Sequence, residues 1–246
     1  VKLLDIKNRT ERFIRQVCGR DVWNWRQVRV ETLAIGKEKY VICPNLLSSR
    51  SIVYLAGIGD DVSFEMDVIK HFGASVFCFE PSPESILWIE KYNLPVELKL
   101  FPFGVSDHDG EILLYRSDSI EDDTWSICRK KHSLEPFEAT VMRISSIMKD
   151  LGHARIDLLK MNIEGSEYAV IQDLIDSEIK PDQIIIEFHH KFPQIGVSRT
   201  RQSLYLLRKA GYRIVYIDAK GHVYSFINRE KVFAGTVGTV SVFSKI

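Results

Sequence analysis

Four cysteines in 246 residues, none of them spaced as C-x-x-C, leave little for a zinc site or a disulfide framework to use. Cys18, Cys43, Cys78 and Cys128 lie far apart, and Cys78 falls inside an apolar run, so a reducing compartment is favoured. Net charge is missing too: Lys plus Arg and Asp plus Glu stand at 33 each. No global field is then available to hold nucleic acid or an anionic membrane. No apolar run approaches the roughly 18 residues of a membrane helix, and no signal peptide is visible. These absences point to a cytoplasmic protein that takes a small-molecule partner, with no nucleic acid and no membrane. The chain opens on Val1 rather than Met, consistent with a trimmed N-terminus.

What is present is enough apolar residue, 45% of the chain, for one full core. Apolar runs alternate with helical patterns from Ser51 onward, which predicts an α/β fold: a doubly wound, mostly parallel sheet with an antiparallel C-terminal edge strand. Residues 1–50 read as a helix to about Gly19, then a small β preface from Trp23 to Ile42, forming an extension on the main domain of residues 51–246. The extension caps one face of the sheet or shapes a pocket. Residues 116–138 are polar and long, with acids at Glu121, Asp122 and Asp123 and bases at Arg129, Lys130 and Lys131. Such a stretch in a compact domain reads as a substrate loop or lid, or as disorder. Trp125 and Ser126 are its expected substrate contacts. A final strand pair is expected near Phe226 and Thr239 to Lys245.

The first βαβ unit carries Ile52 to Ala56, then Gly57-Ile58-Gly59-Asp60-Asp61, a helical pattern, and Val76 to Phe79 closing on Glu80-Pro81-Ser82. Gly57 and Gly59 lack a Cβ and let a ligand near the backbone. An acid at the tip of the second strand, about 20 residues on, is placed to take hydrogen bonds from ribose hydroxyls. Glu80 stands there, although two glycines and an acid also occur in ordinary turns. Val62 replaces the third glycine of the dinucleotide fingerprint, and Asp60 with Asp61 puts negative charge where a pyrophosphate would sit. A nucleoside without phosphates fits better.

Residues Asp157 to Glu167 read DLLKMNIEGSE. Lys160, Asn162 and Glu164 recur at period two at a strand's C-terminal end, where open α/β sheets bind ligands. A Lys160 to Glu164 ion pair beside a satisfied Asn is the structural alternative.

This segment resembles the signature of the FkbM family of S-adenosylmethionine-dependent methyltransferases, a Lys-x-Asp-x-Glu-Gly-x-Glu pattern on the fourth strand. Val53 to Phe64, Phe79-Glu80-Pro81, Gly104 to Asp107 and Glu187-Phe188-His189 follow in that family's order, from about Ser51 to the C-terminus. The resemblance implies a class I methyltransferase fold with S-adenosylmethionine as cofactor. Gly57 and Gly59 would then let the backbone approach the cofactor and Glu80 would hold its ribose diol, with Asp60, Pro81 and Ser82 also in the cofactor site. Gly104, Val105 and Ser106 would lie against the adenine, and Asn162 near the methionine portion. Asn162 stands in place of the usual Asp, and Leu55 where class I enzymes often carry an acid, with Asp60 or Asp61 as a substitute.

Methyl transfer to an alcohol needs the nucleophile in line with the S to CH3 bond and a base within hydrogen-bond reach. His189 is the first choice, since imidazole titrates in the useful range, with Glu164, Glu187 and Lys160 as the other catalytic candidates. Glu164, Glu187 and His189 also make a conceivable Mg²⁺ or Mn²⁺ set, which is not favoured. The expected function is O-methylation of a small hydroxylated molecule such as a sugar unit or natural-product scaffold. N-methylation of a small amine, a nicotinamide-dependent oxidoreductase and a non-catalytic binding module are the alternatives.

Overall fold

The computed structural model describes residues 3–116, 125–129 and 135–234. In chain order its elements are α1 (Leu3–Val17), β1 (Leu33–Ile35), β2 (Tyr40–Ile42), β3 (Ile52–Ala56), α2 (Ser63–Phe72), β4 (Ser75–Phe79), α3 (Pro83–Ile89) and β5 (Leu98–Phe101). There follow β6 (Gly104–Ser106), β7 (Gly110–Arg116), β8 (Trp125–Ser126), β9 (Phe137–Arg143), α4 (Ile144–Leu151), β10 (Leu158–Met161) and α5 (Glu167–Asp176). The last are β11 (Gln183–Glu187), α6 (Gly196–Lys209), β12 (Tyr212–Ile217), β13 (Val223–Asn228) and α7 (Arg229–Ala234).

Seven strands form the main sheet in the order β12-β13-β11-β10-β3-β4-β5. Strands β11, β10, β3, β4 and β5 are parallel, with β5 at one edge, and the apolar runs of the other four are buried on both faces because helices cover each side. Period-two alternation divides them. Tyr54, Ala56, Leu159, Met161, Ile184 and Ile186 face a core shared with α4, α5 and α6. Val53, Leu55, Leu158 and Ile185 face a second core, shared with α2, α3 and the β1–β2 hairpin. The hairpin thus occupies part of a layer that helices fill elsewhere in a doubly wound sheet.

Three expectations change in detail. The antiparallel strand is β13, and it sits one place in from the edge, paired to β11 and β12. β12 is the edge on that side, because the chain crosses beyond before turning back into the gap. Residues 104–106 are a strand rather than a turn, and with β7, β8 and β9 they build a second sheet in the order β6-β9-β7-β8. The stretch expected to be irregular, 116–138, holds β8 and the start of β9. The rest of the loop reading, residues 117–124 and 130–134, lies outside the described residues, as does the expected strand at Thr239 to Lys245. Before β1, residues 22–32 form no strand, yet Gln27 and Val28 donate backbone hydrogen bonds to Ile214 O, and Cys43 exchanges two with the Gln183 amide. The segment is tied to the sheet by those bonds.

Candidate functional site

A cavity of about 540 Å³, within the usual range for small-molecule sites, opens at the C-terminal ends of β3, β4 and β10. Its floor is the turn after β3. Gly57 adopts φ +80°, and a Cβ there would lie 1.9 Å from Asn162 O. The protein's own chain demands this glycine, not a ligand: Asn162 N donates to Ala56 O at 3.0 Å, drawing the two crossover loops together. Gly59, at φ +66° with open space beside it, needs only the left-handed backbone.

Glu80 points into this turn. Its Oε2 accepts from Ile58 N at 2.8 Å and Gly59 N at 3.3 Å, and its Oε1 accepts from Ser82 N at 2.9 Å. The side chain is buried and lines the cavity. A carboxylate has about four acceptor sites, so three donors leave one for a ligand hydroxyl. Ser82 itself caps α3, its Oγ accepting from Ser85 N. Pro81 packs where a Gly104 Cβ would go, and both line the cavity with Val105. Ser106 does not reach the wall: its buried hydroxyl donates to Asp107. Asp61 holds the start of α2 by accepting from Ser63 N and Oγ, leaving Asp60 exposed on the rim.

The two predicted substrate contacts separate. Trp125 lines the cavity and donates from Nε1 to Glu84 at 3.1 Å. Ser126 is fully buried, donates to Glu164 O at 2.8 Å and accepts from Cys128 N, so it fastens β8 to the loop after β10 and does not line the cavity.

Lys160, Asn162 and Glu164 all line the cavity, although β10 ends at Met161 and Glu164 sits in a turn at φ +50°. No Lys160 to Glu164 pair forms. The Lys160 ammonium lies 4.6 Å from the Tyr40 ring centroid and 5.5 Å from that of Phe64, and the side chain is 5% exposed. Aromatic faces attract a cation but accept no conventional hydrogen bond. Asn162 Oδ1 is buried with no donor.

His189 is the main correction. Its Nδ1 lies 2.9 Å from Glu167 Oε1 and its Nε2 lies 3.3 Å from Glu164 Oε1. Burial by itself would lower the imidazole pKa, but the Glu167 charge and hydrogen bonds to both carboxylates raise it to about 11. A ring held protonated at neutral pH is no general base. Both ring nitrogens are committed to carboxylates, and among the described residues no three His, Cys, Asp or Glu side chains are grouped to hold a metal. Glu187 is pushed up, first by burial, and accepts from Tyr40 Oη at 3.4 Å away from the cavity wall.

Sequence reasoning gave no site role to Glu167 and named none of the hairpin residues in the wall. Glu167, fully buried, accepts from Ile163 N, Gly165 N and His189, and so shapes the loop that carries Asn162 and Glu164. Its signal was its place as the last acid of the motif. Lys37, Glu38 and Tyr40 bring the β1–β2 hairpin into the wall, and no local pattern marked them.

Residues 27–214 match the family described as Methyltransferase FkbM domain. The Probable methyltransferase-like protein 24 of Rattus norvegicus is 32% identical over 170 residues, and that of Homo sapiens 25% over 170 residues. Each alignment takes in 68% of this chain and 40% of the relative, so the chain spans about two fifths of the length of the curated relatives it matches. Among solved structures, Methyltransferase FkbM from Methylobacillus flagellatus aligns at 14% identity with a TM-score of 0.47, covering 74% of this chain and 44% of that one. The family match takes in both glycines of the β3 turn, Glu80 and the whole 157–167 segment, and the chain belongs to the FkbM family of methyltransferases.

Proposed function

We propose that the cavity binds S-adenosylmethionine and that the chain methylates a hydroxyl of a small molecule. The observation that carries this reading is Asn162 Oδ1, a buried acceptor without a donor in the cavity wall next to the Gly57 turn. An orphaned buried acceptor costs free energy that a ligand's N–H restores. The ammonium of a methionine portion supplies such a donor. The vacant acceptor site of Glu80 suits a ribose hydroxyl, and Val105, Ile112, Leu114 and Trp88 offer an apolar wall to the adenine. The donor set therefore fits the cofactor at both ends.

S-adenosylmethionine supplies an activated methyl group on a sulfonium, so the chain's own residues need to orient the acceptor, exclude water and take one proton. Lys160 Nζ, with no acceptor of its own, would donate to the acceptor oxygen. Glu164, clamped by His189 through Oε1, would receive the hydroxyl proton on Oε2. A free donor at Lys160 favours an oxygen acceptor over an amine, which needs its lone pair for the methyl. Against a nicotinamide cofactor stands the acidic start of α2, where Asp60 and Asp61 would face a pyrophosphate.

Isothermal titration with S-adenosylhomocysteine and with NADH tests this. Binding of S-adenosylhomocysteine that weakens at least about tenfold in Glu80→Ala and in Asn162→Leu is the expected result. Wild-type affinity in both variants, or a preference for NADH, would overturn the assignment.

A further inference from the structure

Thirteen large apolar side chains are exposed among the described residues, and seven of them lie between residues 4 and 25. A helix on a globular protein ordinarily turns its apolar stripe inward. α1 does the opposite. At 100° per residue, Ile6, Phe13, Ile14 and Val17 fall within an arc of about 100°, and each is more than half exposed. What docks on the protein is the polar side: Arg15 pairs with the fully buried Asp21 at 3.3 Å and donates to Lys220 O at 2.7 Å, and Arg12 donates to Tyr224 Oη. Trp23 extends the outward stripe, its ring 5.9 Å from Phe13, and Trp25 follows at 70% exposure.

Charge flanks this stripe. Lys7 and Arg9 border the apolar arc on either side, and Arg20 and Arg26 are exposed beyond the helix. Residues 1–29 hold eight Lys and Arg against three Asp and Glu, a surplus of +5 that the remaining residues offset with −5.

We propose that α1 and the Trp23–Trp25 segment lie in the plane of an anionic lipid surface. Helices of this kind bury an apolar face at the headgroup boundary while flanking Lys and Arg meet anionic lipid, and tryptophans favour the same depth. A helix of this geometry lies within one leaflet, and no described helix is long and apolar enough to cross a membrane. A nucleic acid would engage the cations and leave Ile6, Phe13, Ile14 and Val17 in water. A second copy, pairing the same patch on both sides, would set like charges against each other. The helix is tethered to the 218–222 turn, and Asp21, the partner of Arg15, lies 3.8 Å from His190, just past β11. That is the end of the sheet at which the cavity opens, so docking carries the cavity to the lipid.

Flotation of the chain with phosphatidylcholine vesicles, and with vesicles in which a third of the lipid is phosphatidylserine, tests the proposal. The expected result is flotation with the anionic vesicles, several-fold weaker with phosphatidylcholine alone, and reduced by raising salt from about 0.1 M to about 1 M. The double variants Phe13→Asp/Val17→Asp and Arg9→Glu/Arg26→Glu should each weaken it at least about tenfold. Their melting temperatures should not move, since all four side chains are exposed. Absence of flotation, equal flotation on both vesicles, or unchanged flotation of the Phe13→Asp/Val17→Asp variant would overturn it. So would self-association in sedimentation equilibrium that this same variant abolishes.

Discussion

The two ends of the cavity are built on opposite terms. Around Gly57 and Glu80 nearly every polar group is spent on the protein itself: three backbone N–H groups on one carboxylate, a carbonyl where a Cβ would go, a serine on a helix start. Around β10 and the hairpin, polar groups are left over. Lys160 has only aromatic faces, Asn162 Oδ1 has no donor, and both oxygens of the fully buried Glu65 lack partners. Burial raises the Glu65 carboxyl pKa, with Lys160 working the other way. A pre-satisfied end can hold a rigid turn in place without ligand. An end with unspent donors and acceptors is stable only at a cost, and costs of that kind concentrate where ligands bind.

The sharpest way to break this contrast is Gly57→Ala. A methyl 1.9 Å from Asn162 O at φ +80° would force the two loops apart, so a loss of more than about 4 kcal/mol in urea unfolding is expected. A loss under about 1 kcal/mol would mean the turn is not rigid. Next is Glu167→Ala, which strips one of two carboxylate partners from buried His189 and the acceptor from two backbone N–H groups. It should cost about 3–5 kcal/mol, read from the same urea midpoints.

The third is a pH series. His189 rises from an ordinary 6.5 to about 11 on folding, so its contribution is complete below about 6.5 and fades as pH climbs toward 11. Urea midpoints should therefore fall from pH 6 to pH 9 in the wild type, and the His189→Gln variant should lack that part of the slope. A base poised near neutrality would instead show no such decline above pH 8. The smallest effect is expected at the unspent end: Lys160→Met removes a buried charge that has no hydrogen-bond acceptor, so stability should hold or rise by about 1 kcal/mol. S-adenosylhomocysteine affinity should stay within about twofold, and a larger loss would move Lys160 into the cofactor's half of the cavity.

The parallel core was legible because its signals are local. Ile52 to Ala56 and Gln183 to Glu187 are runs that only a two-sided sheet position buries, and Gly57, Glu80 and Asn162 sit at strand tips where topology alone places a site. Failures came where distant contacts decide. Gly104 to Ser106 is too short and too turn-like to read as a strand until β9 pairs with it. Ser126 looks like a surface hydroxyl until Glu164 O is found above it. His189 looks like a free imidazole because the two acids that charge it come from the β10–α5 region, 25 and 22 residues away. Zero net charge, read over the whole chain, concealed the basic patch gathered at α1.

What the sequence determined by itself is the run of parallel strands and their helices along the chain and the family, since periodicity, glycine punctuation and one motif are properties of neighbouring residues. What only the tertiary structure decided is protonation and partnership: which carboxylates flank His189, which rings cage Lys160, which side of α1 meets the protein. Those depend on fields and contacts that fall off over a few ångströms in space, and residues remote along the chain supply them.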